Sequence, residues 1–297
     1  MIIIDSSHAI IAATARASKD FGIDGVKVSD VRSYFFMLVA NVKKKFGGEY
    51  GNEVVFAFDS EDGYWRKDVF PYYKIKRKDA HANAPFSFDF AKECINILFD
   101  ELNTTTHYKA VRVSKAEGDD IIASIVKNKC PLKGEIVDRE SQERVMVISS
   151  DGDLVQLQQY QGVDQYSTTL EKYVRSENPK FALFEKIVRG DAGDSIPSSL
   201  TQDDHYALVE KKRQKSIFVK NIDEWWKEYD DTGVINENIS TYYSRNKQLI
   251  DFDEIPVTLE KEIVIAYDQS PVQSKTDFLN YVTKNTMNSV FDQIQFL

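Results

Sequence analysis

The run Val145-Met146-Val147-Ile148-Ser149 is short, β-branched and nearly unbroken in its apolar character, and it ends abruptly at Asp151-Gly152-Asp153. Such a run reads as a strand covered on both faces, as the strands of parallel sheets are. The ending recurs. Residues 1–4 stop at Asp5, Val54-Val55-Phe56-Ala57-Phe58 stops at Asp59, and Val111-Arg112-Val113 is followed by Glu117-Gly118-Asp119-Asp120. In an open parallel sheet the ligand crevice lies outside the carboxyl ends of the strands, so acids that end strands far apart in sequence meet there. The expected fold class is α/β, a mostly parallel central sheet flanked by helices.

Seven carboxylates in one crevice repel one another, and burial and repulsion raise their pKa values and destabilise the fold. A hard divalent cation with oxygen ligands removes that cost. Mg²⁺ does so with a few carboxylates while keeping waters and accepting phosphate oxygens, so the acids predict a metal site for phosphate chemistry. The net charge of −9 is consistent with this, because the seven acids together with Asp191 and Asp194 account for all of it. The rest of the chain is close to neutral, and local basic patches can still follow a phosphate backbone.

With 297 residues the chain can hold one large domain or two smaller ones. No stretch reaches the apolar length of a membrane span, and the opening is cut short by an acid and lacks a basic leader; a cytoplasmic location is expected. Cys94 and Cys130 have neither metal-ligand nor redox spacing and read as reduced thiols.

After Asp5 the first expected helix covers residues 31–46, started by Ser29 and Asp30, patterned by Val31, Tyr34, Phe35, Leu38, Val39 and Val42, and ended by Gly47-Gly48. Lys43-Lys44-Lys45 near its end answers the helix dipole and faces solvent. Beyond Asp59 the composition changes. Residues 63–78 carry Arg66, Lys67, Lys74, Lys76, Arg77 and Lys78 among aromatic residues, with Asp68 the only acid. Basic groups neutralise phosphates and aromatic faces stack unpaired bases, so this segment reads as a single-strand binding element; a solvated charged helix is the blander alternative. With the Ala-, Asn-, Pro- and Ser-rich residues 81–88 it suggests a mobile arch or lid over the site. A helix over 89–102, a strand over 108–113, a helix entered at Glu117, a short helix over 154–160 and a small edge hairpin over 163–175 follow. Glu117 and Asp120 share a helix face, while Asp119 points elsewhere toward a second ion. The helix dipole alone accounts for one or two acids there, but not for the whole set.

From residue 179 the strand signals fade and the chain reads helical. Gly190-Asp191-Ala192-Gly193-Asp194 read alone is an ordinary turn between helices. Lys211-Lys212-Arg213 reads equally as a solvated helix end or a phosphate contact, and Trp225 and Trp226 serve packing.

The order of these motifs, strand-Asp5, strand-Asp59, basic arch, Glu117-Gly118-Asp119-Asp120, Ser150-Asp151-Gly152-Asp153 and Gly190-Asp191-Ala192-Gly193-Asp194, resembles the 5′ nuclease family. That family includes flap endonucleases and the 5′→3′ exonuclease domains of bacterial polymerases. Gly63-Tyr64-Trp65-Arg66, Ser149-Ser150-Asp151-Gly152-Asp153 and Ile250-Asp251-Phe252-Asp253-Glu254-Ile255-Pro256 look closest to its ribonuclease H members from T-even-type bacteriophages. The likeness spans nearly the whole chain.

The resemblance implies a PIN-like fold: an α/β nuclease domain over 1–178 with a helical arch at about 63–88, and a mainly α-helical domain over 179–297 for duplex DNA and partner contacts. It implies Mg²⁺-dependent 5′→3′ exonuclease, flap endonuclease and ribonuclease H activity on flaps, nicked duplexes and RNA–DNA hybrids. Two Mg²⁺ ions are expected, with Mn²⁺ able to substitute. Asp5, Asp59, Glu117, Asp119 and Asp120 would hold the first directly or through water; Asp151, Asp153, Asp191 and Asp194 would surround the second. Lys74 and Arg77, with Asp59 and Asp151, are the implied catalytic residues. Arg66, Lys67, Tyr73, Lys74, Lys76, Arg77, Lys78, Lys211, Lys212 and Arg213 are the implied nucleic-acid contacts. The implied role is RNA primer removal in phage DNA replication, by a monomer in the cytoplasm of a bacterial host, with a single-strand-binding protein and a sliding clamp as partners.

Two features depart from the family. Ile196-Pro197-Ser198-Ser199-Leu200-Thr201 lacks the glycines with which its helix-turn-helix grips duplex phosphates and K⁺, so K⁺ use is not carried over. The phage members' short extension before the first strand is also missing, so no partner peptide is expected there. Residues 291–297 read either as a clamp-binding peptide or as a last helix packed on the core. Two other functions compete: a PIN-type ribonuclease, disfavoured by the long basic arch and the helical C-terminal half, and a non-catalytic structure-specific DNA-binding accessory, disfavoured by the completeness of the acid set.

Overall fold

Strand residues point alternately to opposite faces, and the central strands are apolar at every position, so both faces must be covered. The computed structural model, which describes residues 1–77, 84–134, 143–208 and 213–297, meets this requirement with a six-stranded sheet. Strands β1 (Ile2–Asp5), β2 (Val54–Phe58), β3 (Lys109–Arg112), β4 (Val145–Ile148) and β5 (Val163–Ser167) run parallel, and β6 (Lys172–Val174) closes one edge antiparallel to β5, in the order β3-β2-β1-β4-β5-β6. Ile3 pairs with Val55 on one side and Val147 on the other. The chain leaves β1 in one direction to β2 and later returns on its other side to β4. The carboxyl ends of β1, β2 and β4 therefore border the reversal point where open sheets place their ligands.

Ile2, Ile4, Phe56, Phe58, Met146 and Ile148 face one layer, made of α1 (Ser6–Phe21), α2 (Val28–Tyr50) and α4 (Phe88–Thr105). Ile3, Val55, Ala57, Val111, Val145 and Val147 face the other, made of α5 (Gly118–Lys129) and α9 (Val257–Gln269). A third apolar cluster joins Phe70 and Tyr73, beyond the short helix α3 (Trp65–Val69), to α6 (Pro179–Arg189), α7 (Val219–Thr232) and α8 (Glu237–Ile250). Trp225 is buried in this cluster, and Trp226 packs edge-on against Phe181. The C-terminal helices are not a separate layer throughout: α9 returns to the sheet, and α10 (Lys275–Lys284) and α11 (Asn288–Phe291) lie on α2 and α4.

Three local expectations are corrected. Helix α1 has no counterpart in the expected pattern; apart from Ile10 its buried face is built from Ser6, Ser7, Ala9, Ala13, Thr14, Ala17 and Ser18, small residues that carry little periodic signal. Helix α2 runs through Gly47-Gly48 to Tyr50 and ends at Gly51, whose φ of 84° is the left-handed turn that needs a glycine. Lys43 and Lys45 consequently sit inside the helix rather than in its last turn: Lys43 donates to the Tyr108 hydroxyl and the Leu297 carbonyl, and Lys45 to the Tyr166 hydroxyl.

The tail is packed on the core, the second of its two readings. Leu297 is buried, and its carbonyl accepts from Lys43 at 2.9 Å and from Tyr108 at 2.7 Å. Deleting residues 293–297 is expected to cost about 3 kcal/mol of stability, the scale of one or two buried apolar side chains. Urea titration measures this, and an unchanged midpoint would show the tail to be an appendage.

Candidate active site

Asp5 and Asp59 end β1 and β2 side by side. Asp5 is buried, caps α1 by accepting from the His8 amide at 3.1 Å, and accepts from the Ser149 hydroxyl at 2.9 Å, which ties it to the end of β4. Asp59 accepts from the Gly118 amide at 2.8 Å. Gly118 packs close to both acids: a Cβ there would stand in ordinary contact, 3.6 Å from the Asp59 carboxylate and 3.8 Å from that of Asp5. The Asp151 amide donates to Ser149 Oγ, and the Asp151 carboxylate caps the following turn through the Asp153 amide at 2.8 Å. Asp119, in the first turn of α5, faces these groups. Burial and then the charges of Asp151 and Asp5 push its carboxyl well above the ordinary aspartate value. Burial likewise pushes Asp5 up to about 6, with Asp59 adding to the rise.

The other acids are already neutralised. Glu117 and Asp120 are buried and share Arg66, which lies 2.9 Å from Glu117 Oε2 and 2.8 Å from Asp120 Oδ1. Tyr73 bridges Glu117 at 2.8 Å and Asp194 at 2.9 Å, and the Lys74 ammonium contacts Glu117. Burial alone would raise the Glu117 carboxyl; Lys74 and Arg66 outweigh it and hold the group below the ordinary glutamate value. Arg77 reaches Asp194 at 2.9 Å. Lys74 keeps a left-handed backbone (φ 57°), fixed by its amide donating to the Asp194 carbonyl at 2.8 Å. A strained φ held by tertiary contacts marks a side chain whose direction matters. Asp153 and Asp191 share Lys186, 2.6 Å from each. Asp191 also accepts from the Gly193 and Asp194 amides, and an Asp191–Ile196 bridge closes this turn, so it is a folded cap on α6 rather than a plain connection.

The expected ligands thus fall into two sets. Asp5, Asp59, Asp119 and Asp151 make no ion pair with lysine or arginine among the described residues. Their oxygen-only donors and mutual repulsion, with Asp5 and Asp119 pushed up by burial, suit a hard divalent cation. Glu117, Asp120, Asp153, Asp191 and Asp194 each have a basic partner, so the second expected cation position does not fit a metal as the side chains stand. Among the described residues no group of three or more such side chains has the geometry to hold a metal ion in its present arrangement. A cavity of about 490 Å³ opens beside the site, lined by Asp59, Tyr64, Lys67, Arg77, Lys92 and Arg112. Another cavity, about 700 Å³, lies elsewhere, between α1, α2 and the β5–β6 hairpin.

Among the expected nucleic-acid contacts, Lys67, Lys76, Arg77 and Arg213 are exposed, whereas Lys78, Lys211 and Lys212 lie outside the described residues, as does the arch over 78–83. Arg66 and Tyr73 are corrected: both are buried. Arg66 also donates to the Leu249 carbonyl, so its charge serves the core and not a phosphate. The sequence reading missed Ser149 and Lys186. Ser149 looks like the last residue of a strand and Lys186 like an ordinary lysine in the last turn of a helix; only the fold shows what each touches.

An α/β sheet with strand-ending acids, a basic and aromatic segment and a helical C-terminal layer defines a class, and sequence comparison agrees. Residues 1–183 match the family model of the 5′-3′ exonuclease N-terminal resolvase-like domain, so the chain belongs to the 5′-3′ exonuclease family of nucleases. Residues 177–296 match the model of the T4 ribonuclease H C-terminal domain. Ribonuclease H of Enterobacteria phage T4 is 29% identical over 258 residues, 86% of this chain and 82% of that protein. The fold is similar to that of the T5 D15 protein co-crystallised with metal ions, at a TM-score of 0.60 and 15% identity, covering 99% of this chain and 98% of that one. It is equally similar to the bacteriophage T5 flap endonuclease in complex with DNA and metal ions, at a TM-score of 0.60 and 16% identity over 98% of each chain.

Two measurements follow from this charge arrangement. Arg66→Ala leaves the buried Asp120 without a basic partner and Glu117 with Lys74 alone, and is expected to cost about 3–5 kcal/mol in chemical denaturation, whereas an exposed phosphate contact would lose DNA affinity at unchanged stability. In EDTA, the thermal midpoint is expected to rise as pH falls from about 7.5 to about 5. Asp5 and Asp153 have folded values raised to about 6 from 3.8, so across that window the native state binds more protons than the unfolded chain. A falling midpoint would show that these acids carry no repulsion.

Proposed function

We propose that the chain is a divalent-metal-dependent 5′ nuclease that hydrolyses phosphodiester bonds in flaps, nicked duplexes and RNA–DNA hybrids, and that it removes RNA primers in phage DNA replication within a bacterial host. The observation that carries this reading is the set of four carboxylates without basic partners at the strand ends, directly beside a cationic and aromatic wall. Mg²⁺, or Mn²⁺ in its place, would be held by Asp5, Asp59, Asp119 and Asp151 and would supply an activated water and charge neutralisation at the phosphate. The protein's own part is placement. Ser149 fixes Asp5, Gly118 fixes Asp59, and Asp151 is set by its turn.

Lys74 and Arg77 stand where a scissile phosphate on these acids would lie. On substrate binding they exchange Glu117 and Asp194 for phosphate oxygens and stabilise the negative charge that develops there. Tyr64, Lys67 and Lys92 line the cavity beyond, wide enough for an unpaired 5′ strand whose bases stack and whose phosphates are neutralised. In this reading residues 1–178 form the nuclease domain and residues 179–297 meet the duplex and partners, a single-strand-binding protein and a sliding clamp among them. Clamp contact would use the exposed Phe291 or draw the packed tail out.

The test is cleavage of a 5′-end-labelled flap duplex in Mg²⁺, beside an EDTA control and the Asp151→Asn protein. Short products that need the metal and vanish in the variant are expected; binding without cleavage in Mg²⁺ and Mn²⁺ alike would overturn the reading. Lys74→Ala should lower turnover about 10²–10³-fold, the cost of losing one charge-stabilising donor, while flap binding falls far less. Single-turnover kinetics and a binding titration separate the two effects.

A further inference from the structure

Lys186 lies in the last turn of α6, where a lysine ordinarily answers the helix dipole from solvent. Its ammonium instead lies 2.6 Å from Asp153 Oδ1 and 2.6 Å from Asp191 Oδ2, joining two acids from separate elements. Both acids are oriented by other bonds. The Asp191 Oδ1 atom is used by the Gly193 and Asp194 amides, leaving Oδ2 to the lysine. Asp153 sits in the turn capped by Asp151, and the buried Gln156 holds it further by donating to the Asp153 and Ile250 carbonyls. A cavity of about 200 Å³, lined by Asp151, Gly152, Asp153, Gln156, Leu183 and Lys186, opens beside this arrangement.

We infer that Lys186 is a tethered cation filling the second cation position of the acid set, between Asp153 and Asp191, so that without nucleic acid the chain takes a single divalent ion. This rests on the proposed metal-dependent function. The contrast within the site supports it: among the described residues Asp5, Asp59, Asp119 and Asp151 lack a lysine or arginine partner, while Asp153, Asp191 and Asp194 each have one supplied by the chain. A divalent ion at that position would have to approach a fixed positive charge at contact distance, and the repulsion makes its binding weak. Lys186 is a positioning residue in this scheme: it holds the Asp-Gly-Asp turn to α6 while a single ion serves the other acids.

The test is the number of Mn²⁺ ions bound by the intact protein without nucleic acid, measured by calorimetry and by electron paramagnetic resonance of free Mn²⁺. Wild type is expected to bind one. Lys186→Met, which keeps the length of the side chain and removes its charge, is expected to bind a second ion about tenfold or more tighter than wild type does. Lys186→Arg restores the charge and is expected to bind one again, so a folding defect in the Met variant does not remove the test. Equal stoichiometry in wild type and Lys186→Met, whether one ion or two, overturns the role of the lysine alone. Wild type binding no divalent ion at all overturns the metal-dependent function and this inference together.

Discussion

The buried contact of Arg66 with Glu117 and Asp120 holds the three parts of this molecule in one geometry. The guanidinium comes from the helix that roots the basic segment, the carboxylates from the first turn of α5, and its remaining donor reaches the Leu249 carbonyl at the end of α8. Trp65 adds its indole N–H to Asp120 at 3.1 Å. A charge desolvated this far is tolerated only when every partner is in place. The nuclease sheet, the basic wall and the C-terminal helices therefore cannot shift independently without exposing an unpaired charge to a low-dielectric interior. The site inherits its precision from that constraint, since Glu117 also orients Tyr73 and Lys74.

Around this anchor, charge is divided rather than merely accumulated. Four acids have no basic partner among the described residues, and five are met by Arg66, Lys74, Arg77 and Lys186. Like charges brought together by strand ends would otherwise oppose folding, and the chain offsets about half of them itself. The part left without partners is the part nearest the sheet reversal, where a ligand is expected on topological grounds alone. This explains how a chain of net charge −9 still presents a cationic face beside its acids.

Much of this was legible from the residues. The central strands announced themselves because each is a short apolar run, and their ends did because each run stops at a carboxylate; seven of the acids came from that repetition, while Asp191 and Asp194 entered only with the family resemblance. What escaped notice depended on tertiary neighbours. Helix α1 buries mostly serine, alanine and threonine around the single Ile10, which leaves a weak amphipathic signature, and is started by Asp5 acting as a cap. Arg66 sits in a run of basic and aromatic residues whose composition describes a nucleic-acid surface, yet its side chain is turned inward. Composition reports what a segment contains and not which way each side chain points. The pair Gly47-Gly48 marks a helix end by propensity, but packing against the sheet carries α2 through it. Lys186 was invisible for the same reason as Arg66: a lysine is unremarkable until the two carboxylates beside it are known.

The place of β1 in the sheet bears on how the molecule is made. The first strand synthesised lies between β2 and β4, with Ile3 hydrogen-bonded toward Val55 on one side and Val147 on the other. During vectorial synthesis one edge of β1 can be covered early, once Val55 has left the ribosome, while the other stays open until the segment around Val147 follows. Parallel pairing at such sequence separation forms late, and an open apolar edge is exposed to association while it waits. The nascent chain thus passes through a half-built sheet that already ends in acids, whose charges help to keep that edge apart from other chains.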